Sequence, residues 1–430
     1  FDYHKGQTPF NISTLASGSA VIKTYNMSST KPDRMSVAQY ELEYPRTFNF
    51  ANASNFEFEL ASSAAGNYVE ITNFNSSGVA PVLYDLTNMK RYVAEFTGSG
   101  PSAIYKFALL PSPTARKLLL VSEHSSNPEL VTSLTQRSFI NYSLAANQGN
   151  YLIISNQILR QGASGTDPVE NYRAYRASAA GGSYNTKIYM IDQLVDQFGF
   201  GIKKHPMSVW NFIRWARSHY SAPLKNVFLI GRAMDYYDYR SHESDPIAEL
   251  LDLVPTFGNP ASDNLFACEP GSEIPLTPIG RLGAITPDEV TLYLSKVREY
   301  ELAQATQSPL IADKAWMKNV VHVVGASDPA LQSILDNYMN RYSDMIADTL
   351  YGGNVNRFSK SSTEAVQQLS SDRISNLFHE GIGVLTYFGH SSTTTLQFNL
   401  DEPEAYNNPG KYPIFIALGC NAGNFYTYNP

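Results

Sequence analysis

Two side chains able to break and remake an acyl bond occupy matching places in this sequence. His390 follows the apolar run from Gly383 to Phe388 and then Gly389, and Cys420 follows the run from Ile414 to Leu418 and then Gly419. A free thiol titrates near ~8.5, so a cysteine nucleophile needs a neighbouring imidazole to supply thiolate at neutral pH. Backbone N–H groups at Ser391, just after the histidine, and at Cys420 itself are candidate oxyanion donors, a role worth ~3–4 kcal/mol per donor in comparable sites. Gly419, Ala422 and Gly423 leave room for a substrate carbonyl beside the thiol. Read singly, such a cysteine is a small buried hydrophobe and such a histidine a structural one. The matched pair is what carries the chemistry.

A third group is needed to orient an imidazole. Asp328 follows the run from Val320 to Val324 through Gly325, Ala326 and Ser327, and is the candidate orienting acid. It stands before Pro329 as well, where an aspartate caps a helix, and both readings stay open. Asp263 reads as a weak calcium ligand, an alternative partner for His390 or a turn former. His322, flanked by valines in a strand, reads as a core histidine.

These residues need elements to bring them together. Tyr151 to Ile154, Val227 to Ile230, Val320 to Val324, Gly383 to Phe388 and Ile414 to Leu418 are short apolar runs, as in strands buried on both faces. Between them lie helical patterns around Trp210 to Ala216, Asp288 to Glu301, Leu331 to Leu350 and Glu364 to Phe378, the third closed by Gly352 and Gly353. Alternating strand and helix predicts a mostly parallel sheet covered on both faces, with ligands at the carboxyl ends of its strands. His390, Cys420 and Asp328 all leave strands at that edge. Residues 1–148 differ. Short alternating segments such as Phe56 to Leu60 and Tyr105 to Leu109, separated by turn signals, predict a β-sandwich-like accessory domain before an α/β domain at 149–430.

Composition narrows the partners. With 32 Lys and Arg against 39 Asp and Glu, net charge −7, the 430-residue chain lacks the basic footprint of a nucleic-acid binder. No apolar run approaches the ~20 residues of a bilayer-spanning helix. Two cysteines, Cys268 and Cys420, make no disulfide framework, although a bond between them would silence Cys420. Phe1 is not an initiator methionine and no signal sequence is visible, so a processed or excised product is expected.

The segments Tyr387-Phe388-Gly389-His390-Ser391-Ser392 and Ala417-Leu418-Gly419-Cys420-Asn421-Ala422-Gly423-Asn424-Phe425 resemble the His and Cys boxes of the gingipain-type cysteine peptidases. Val227 to Gly231, Val254-Pro255-Thr256, Ser262-Asp263-Asn264, Ile279-Gly280-Arg281 and Lys296 to Glu301 follow that family's order. The resemblance covers roughly 149–430 and implies a caspase-like fold with a Cys420–His390 dyad and no required cofactor, a structural calcium being left open. Pro45 to Ala53, Tyr172 to Arg176 and Phe198 to Gly201 are similar to the PorU-type sortases of the type IX secretion system. That closer resemblance implies an enzyme exported through the periplasm to the bacterial cell surface and outer membrane. It would cut the C-terminal sorting domains from secreted cargo, attach the cargo to anionic lipopolysaccharide and work beside other components of that system.

Departures from the family pattern define the rivals. Ser391 stands where a glycine is usual, and Gly231-Arg232 replaces Gly-Asp. Family catalytic domains continue well past the nucleophile, whereas this chain stops ten residues after Cys420, so an incomplete cleft is expected. The alternatives are a hydrolytic gingipain-like endopeptidase on the same dyad, or a catalytically decayed surface module.

Overall fold

The computed structural model describes residues 6–428 without 17, 20, 28–36, 38, 307, 327, 360–363, 393–395, 397–399 and 401–404, and without the side chains of 364–371. Phe1 and Ser327 lie outside the described residues. The chain divides into two units, Phe1–Gln136 and Arg137–Pro430.

In the first unit, eight strands are found among the described residues: β1 (Asn49–Ala53), β2 (Asn55–Leu60), β3 (Asn67–Phe74), β4 (Val82–Asp85), β5 (Lys90–Val93), β6 (Glu95–Thr97), β7 (Ile104–Leu109) and β8 (Arg116–Val121). They form two sheets, β1-β3-β7-β6 and β2-β8-β4-β5. Strand alternation sends Phe50, Ile71 and Phe107 from one sheet and Leu83, Leu118 and Leu120 from the other into a shared core. The sandwich departs from a purely antiparallel one at β1, which pairs parallel with β3. Within β1, Ala51 and Asn52 both adopt positive φ and bulge the strand, shifting its register against β3. In the interior, Asp85 and Arg116 form an ion pair with neither side chain exposed. Asp85 also accepts the Asn88 N–H at 2.8 Å, and Arg116 donates to the Leu110 carbonyl at 2.9 Å.

The second unit alternates strand and helix. Its order is β9 (Tyr151–Ser155), α1 (Pro168–Ala177), β10 (Thr186–Met190), α2 (Ile191–Phe198), α3 (Met207–His219), β11 (Asn226–Ile230), α4 (Tyr236–Ser241), α5 (Pro246–Leu251), β12 (Ile279–Leu282), α6 (Pro287–Ala305), β13 (Asn319–Gly325), α7 (Pro329–Ala347), β14 (Asn354–Ser359), α8 (Glu364–Glu380), β15 (Val384–Gly389) and β16 (Ile414–Leu418). Every strand pair is parallel, but there are two four-stranded sheets where the sequence suggested one: β10-β9-β11-β12 and β14-β13-β15-β16. The long helix α6, started by a capping box between Thr286 and Glu289, lies between the last strand of one and the first of the other.

Covering on both faces is explicit in the first sheet. Leu152 and Ile154 pack toward α2 and α3 with Leu194, Phe212 and Ile213. Tyr151 and Ile153, one residue out of phase, pack toward α1 and α6 with Val169, Tyr172 and Val290. In the second sheet, Val321, Val323 and Leu385 meet Ile374 and Phe378 of α8, while Val324 meets Leu335 and Met339 of α7. His322 is buried, its Nδ1 3.0 Å from the Ser343 hydroxyl, and burial holds its imidazole below the ordinary value. The edge strand β16 is different: all five residues are exposed, Ile414 at 60% and Phe415 at 53%. Among the described residues no helix is long and apolar enough to cross a membrane.

Candidate active site

The register of the second sheet sets the site. Gly325 of β13 lies opposite Gly389 of β15, and Phe388 lies opposite Leu418 of β16. His390 and Cys420 therefore each lie two residues beyond the Phe388–Leu418 pair, at the carboxyl edge of adjacent parallel strands ~4.8 Å apart. Both are exposed. Cys420 and the buried Cys268 are free thiols, so no disulfide ties up the candidate nucleophile. Among the described residues, neither the imidazole of His390 nor the thiol of Cys420 makes a hydrogen bond.

The backbone around them is tightly built. The His390 N–H donates to the Gly325 carbonyl at 2.7 Å, and the Tyr387 hydroxyl donates to the His390 carbonyl. The Ser391 hydroxyl donates to the Cys420 carbonyl at 2.7 Å, bridging the two strand ends. Gly419 is required by that bridge, since a Cβ there would collide with the Ser391 side chain. Its smallness serves the chain's own contact before it serves any substrate. Ser391 is not among the described residues with positive φ, so a side chain in place of glycine costs no backbone strain there. Asn421, directly after the thiol, takes the left-handed conformation at φ 58°, one that asparagine tolerates better than other non-glycine residues.

Asp328 is exposed, and its Oδ1 accepts the Leu331 N–H at 2.8 Å as the N-cap of α7. Among the described residues it makes no hydrogen bond or ion pair with His390. Asp263 lies elsewhere, at the carboxyl edge of the first sheet. Its carboxylate accepts two N–H groups of Arg281 at 2.7 Å, the Thr256 hydroxyl at 3.0 Å and the Tyr426 hydroxyl at 2.8 Å. Those bonds occupy the lone pairs a cation would need. No group of three or more His, Cys, Asp or Glu with metal-binding geometry occurs among the described residues. Burial pushes the Asp263 carboxyl up, but the Arg281 guanidinium outweighs it and holds the group below its usual range.

Sequence reasoning read the chain after Cys420 only as far as Phe425 and assigned no role to Tyr426, Thr427 or Tyr428. Residues 425–428 run onto the first sheet's carboxyl edge. The Asp235 N–H donates to the Tyr426 carbonyl at 2.7 Å, Arg232 donates to the Thr427 carbonyl at 3.4 Å, and the Tyr428 ring stacks on His242 at 3.9 Å. Arg232, the residue that departs from the family's Gly-Asp, thus holds the chain that follows the thiol. The available signal was Arg281: an arginine inside a short strand, next to last in β12, is rarely buried unless it is paired, and its side chain is only 2% exposed.

Comparison with known proteins places the unit. No curated protein matches the chain. Among solved structures it is similar to the Arg specific cysteine proteinase gingipain R, with 14% identity and a TM-score of 0.45 over 65% of this chain and 56% of that one. It is also similar to dimeric latent PorU from Porphyromonas gingivalis, with 13% identity and a TM-score of 0.37 over 66% of this chain and 30% of that one. The chain therefore spans just over half of the first protein and under a third of the second. Residues 144–430, two thirds of the chain and the whole of both parallel sheets, match peptidase family C25, and the chain belongs to that family of cysteine peptidases.

Proposed function

We propose that Cys420 and His390 act as a catalytic dyad in acyl transfer, and that the protein is a cell-surface sortase of the PorU type. The observation that carries the dyad is register: the two residues leave neighbouring parallel strands at equivalent positions, both open to solvent, with no disulfide on the thiol. The Cys420 thiolate attacks the scissile carbonyl, and His390 gives its proton to the departing amine, leaving a thioester. The Cys420 backbone N–H, which makes no bond among the described residues, faces the developing oxyanion. An amine or hydroxyl of an anionic lipopolysaccharide then takes the acyl group and the thiol is restored. The leading β-sandwich and the PorU-like segments at Pro45 to Ala53, Tyr172 to Arg176 and Phe198 to Gly201 favour this acceptor over water.

The test is mass spectrometry of an exported cargo protein incubated with the enzyme and an amine acceptor, with Cys420→Ala as control. Loss of the cargo's C-terminal signal with gain of the acceptor's mass, absent in the variant, is the expected result. Signal loss with water alone added makes the protein a hydrolytic endopeptidase. If competent cargo is left intact by both forms, the dyad reading falls in favour of a binding module.

A further inference from the structure

The position of Cys420 is not explained by its own strand. Both faces of β16 are exposed, so no core packing fixes the end of that strand. On one side the Ser391 hydroxyl holds the Cys420 carbonyl. On the other, the chain makes two tight turns, with Asn421 at φ 58° and Gly423 at φ 73°, before reaching Tyr426.

The anchor at the far end is a saturated polar node. Arg281, with a side chain only 2% exposed, uses all five N–H donors: two on Asp263, one each on the Gly231, Val254 and Pro255 carbonyls. Asp263 accepts from Arg281 twice, from Thr256 and from the Tyr426 hydroxyl. A network with every member satisfied is rigid, and Tyr426 is the point where the chain leaving Cys420 plugs into it.

We infer that the Asp263–Arg281 pair is a positioning device for the Cys420 turn, acting through the Tyr426 hydroxyl. The inference rests on the reading of Cys420 as the nucleophile. Asp263 and Arg281 are positioning residues, and their reach is mechanical: they set where the turn after the thiol ends, and hence how the thiol sits beside His390.

Tyr426→Phe removes the hydroxyl and keeps the ring. Tyr175→Phe, which deletes a hydroxyl bonded to Glu301 at 2.5 Å elsewhere in the same unit, is the matched control. Two readouts are taken on the intact chain: iodoacetamide alkylation of Cys420 across pH, and amide hydrogen exchange. In the native chain, alkylation at about pH 6 outpaces that of a cysteine in a model peptide. Tyr426→Phe cuts the rate at that pH about tenfold or more, the scale of a lost hydrogen bond to a charged group. Near pH 9.5, where any exposed thiol is ionised, the rate is unchanged. Exchange of residues 419–425 speeds up while β11 and β12 stay protected, and Tyr175→Phe changes neither readout. Unaltered exchange of 419–425, or faster exchange with an unaltered rate at pH 6, overturns the inference and leaves the dyad standing. A native thiol no faster than the model peptide overturns the dyad, and the positioning role with it.

Discussion

Asp252 and Asp263 are two carboxylates of one unit with opposite consequences for acid. Asp252 is 1% exposed, with Oδ1 bonded to the Met234 N–H at 3.1 Å and Oδ2 without a partner. Burial pushes it up to about 6, against the pull of Lys204. The folded chain thus holds a proton that the unfolded chain has lost between about pH 4 and 6. Stability therefore falls as pH rises through that window, by the order of 3 kcal/mol. Asp252→Asn should flatten the decline and exceed the native protein at pH 7 in chemical denaturation. Asp263 has the reverse sign. Its depressed value makes the contribution complete above the ordinary carboxylate range and lost as the pH falls through the folded value. Asp263→Asn should cost about 3 kcal/mol near pH 7, with the difference from native shrinking on acidification.

Helix α7 tests whether Asp328 is a cap or an orienting acid. As a cap it satisfies the Leu331 N–H, so Asp328→Ala should cost about 1 kcal/mol, while Asp328→Asn keeps both stability and the alkylation rate of Cys420. Urea titration and iodoacetamide kinetics check the two halves. How far the sequence told the elements apart follows from burial. The central strands β9, β11, β13 and β15 are apolar runs because helices cover both faces, and such runs stand out. The edge strands β10 and β14, Thr-Lys-Ile-Tyr-Met and Asn-Val-Asn-Arg-Phe-Ser, mix polar residues into short apolar runs and escaped notice. Helix α7 stops at Ala347, short of Gly352, because the Gly352 and Gly353 N–H groups fold back onto the carbonyls of Asp348 and Ile346. At the site, strand ends with His390 and Cys420 were legible from local pattern. The node at Arg281 was not, because its partners Asp263 and Tyr426 are 18 and 145 residues away in sequence.

At the scale of the molecule, each unit carries its own core and should report separately on damage. Removing one member of the Asp85–Arg116 pair strands a charge where no water reaches. Asp85→Ala should cost the first unit 3–5 kcal/mol, about the range for a broken buried pair, and leave hydrogen exchange in β9 and β11 unchanged. The open strand β16 has a consequence for handling rather than for chemistry. A parallel edge strand with Ile414, Phe415, Ile416 and Leu418 in solvent is a template for unwanted strand addition. The purified chain should therefore behave as a sticky colloid, scattering more light as concentration rises and binding a hydrophobic dye while fully folded. Ile416→Lys should raise its solubility limit without shifting its melting temperature, so long, concentrated storage calls for that variant rather than for colder buffer.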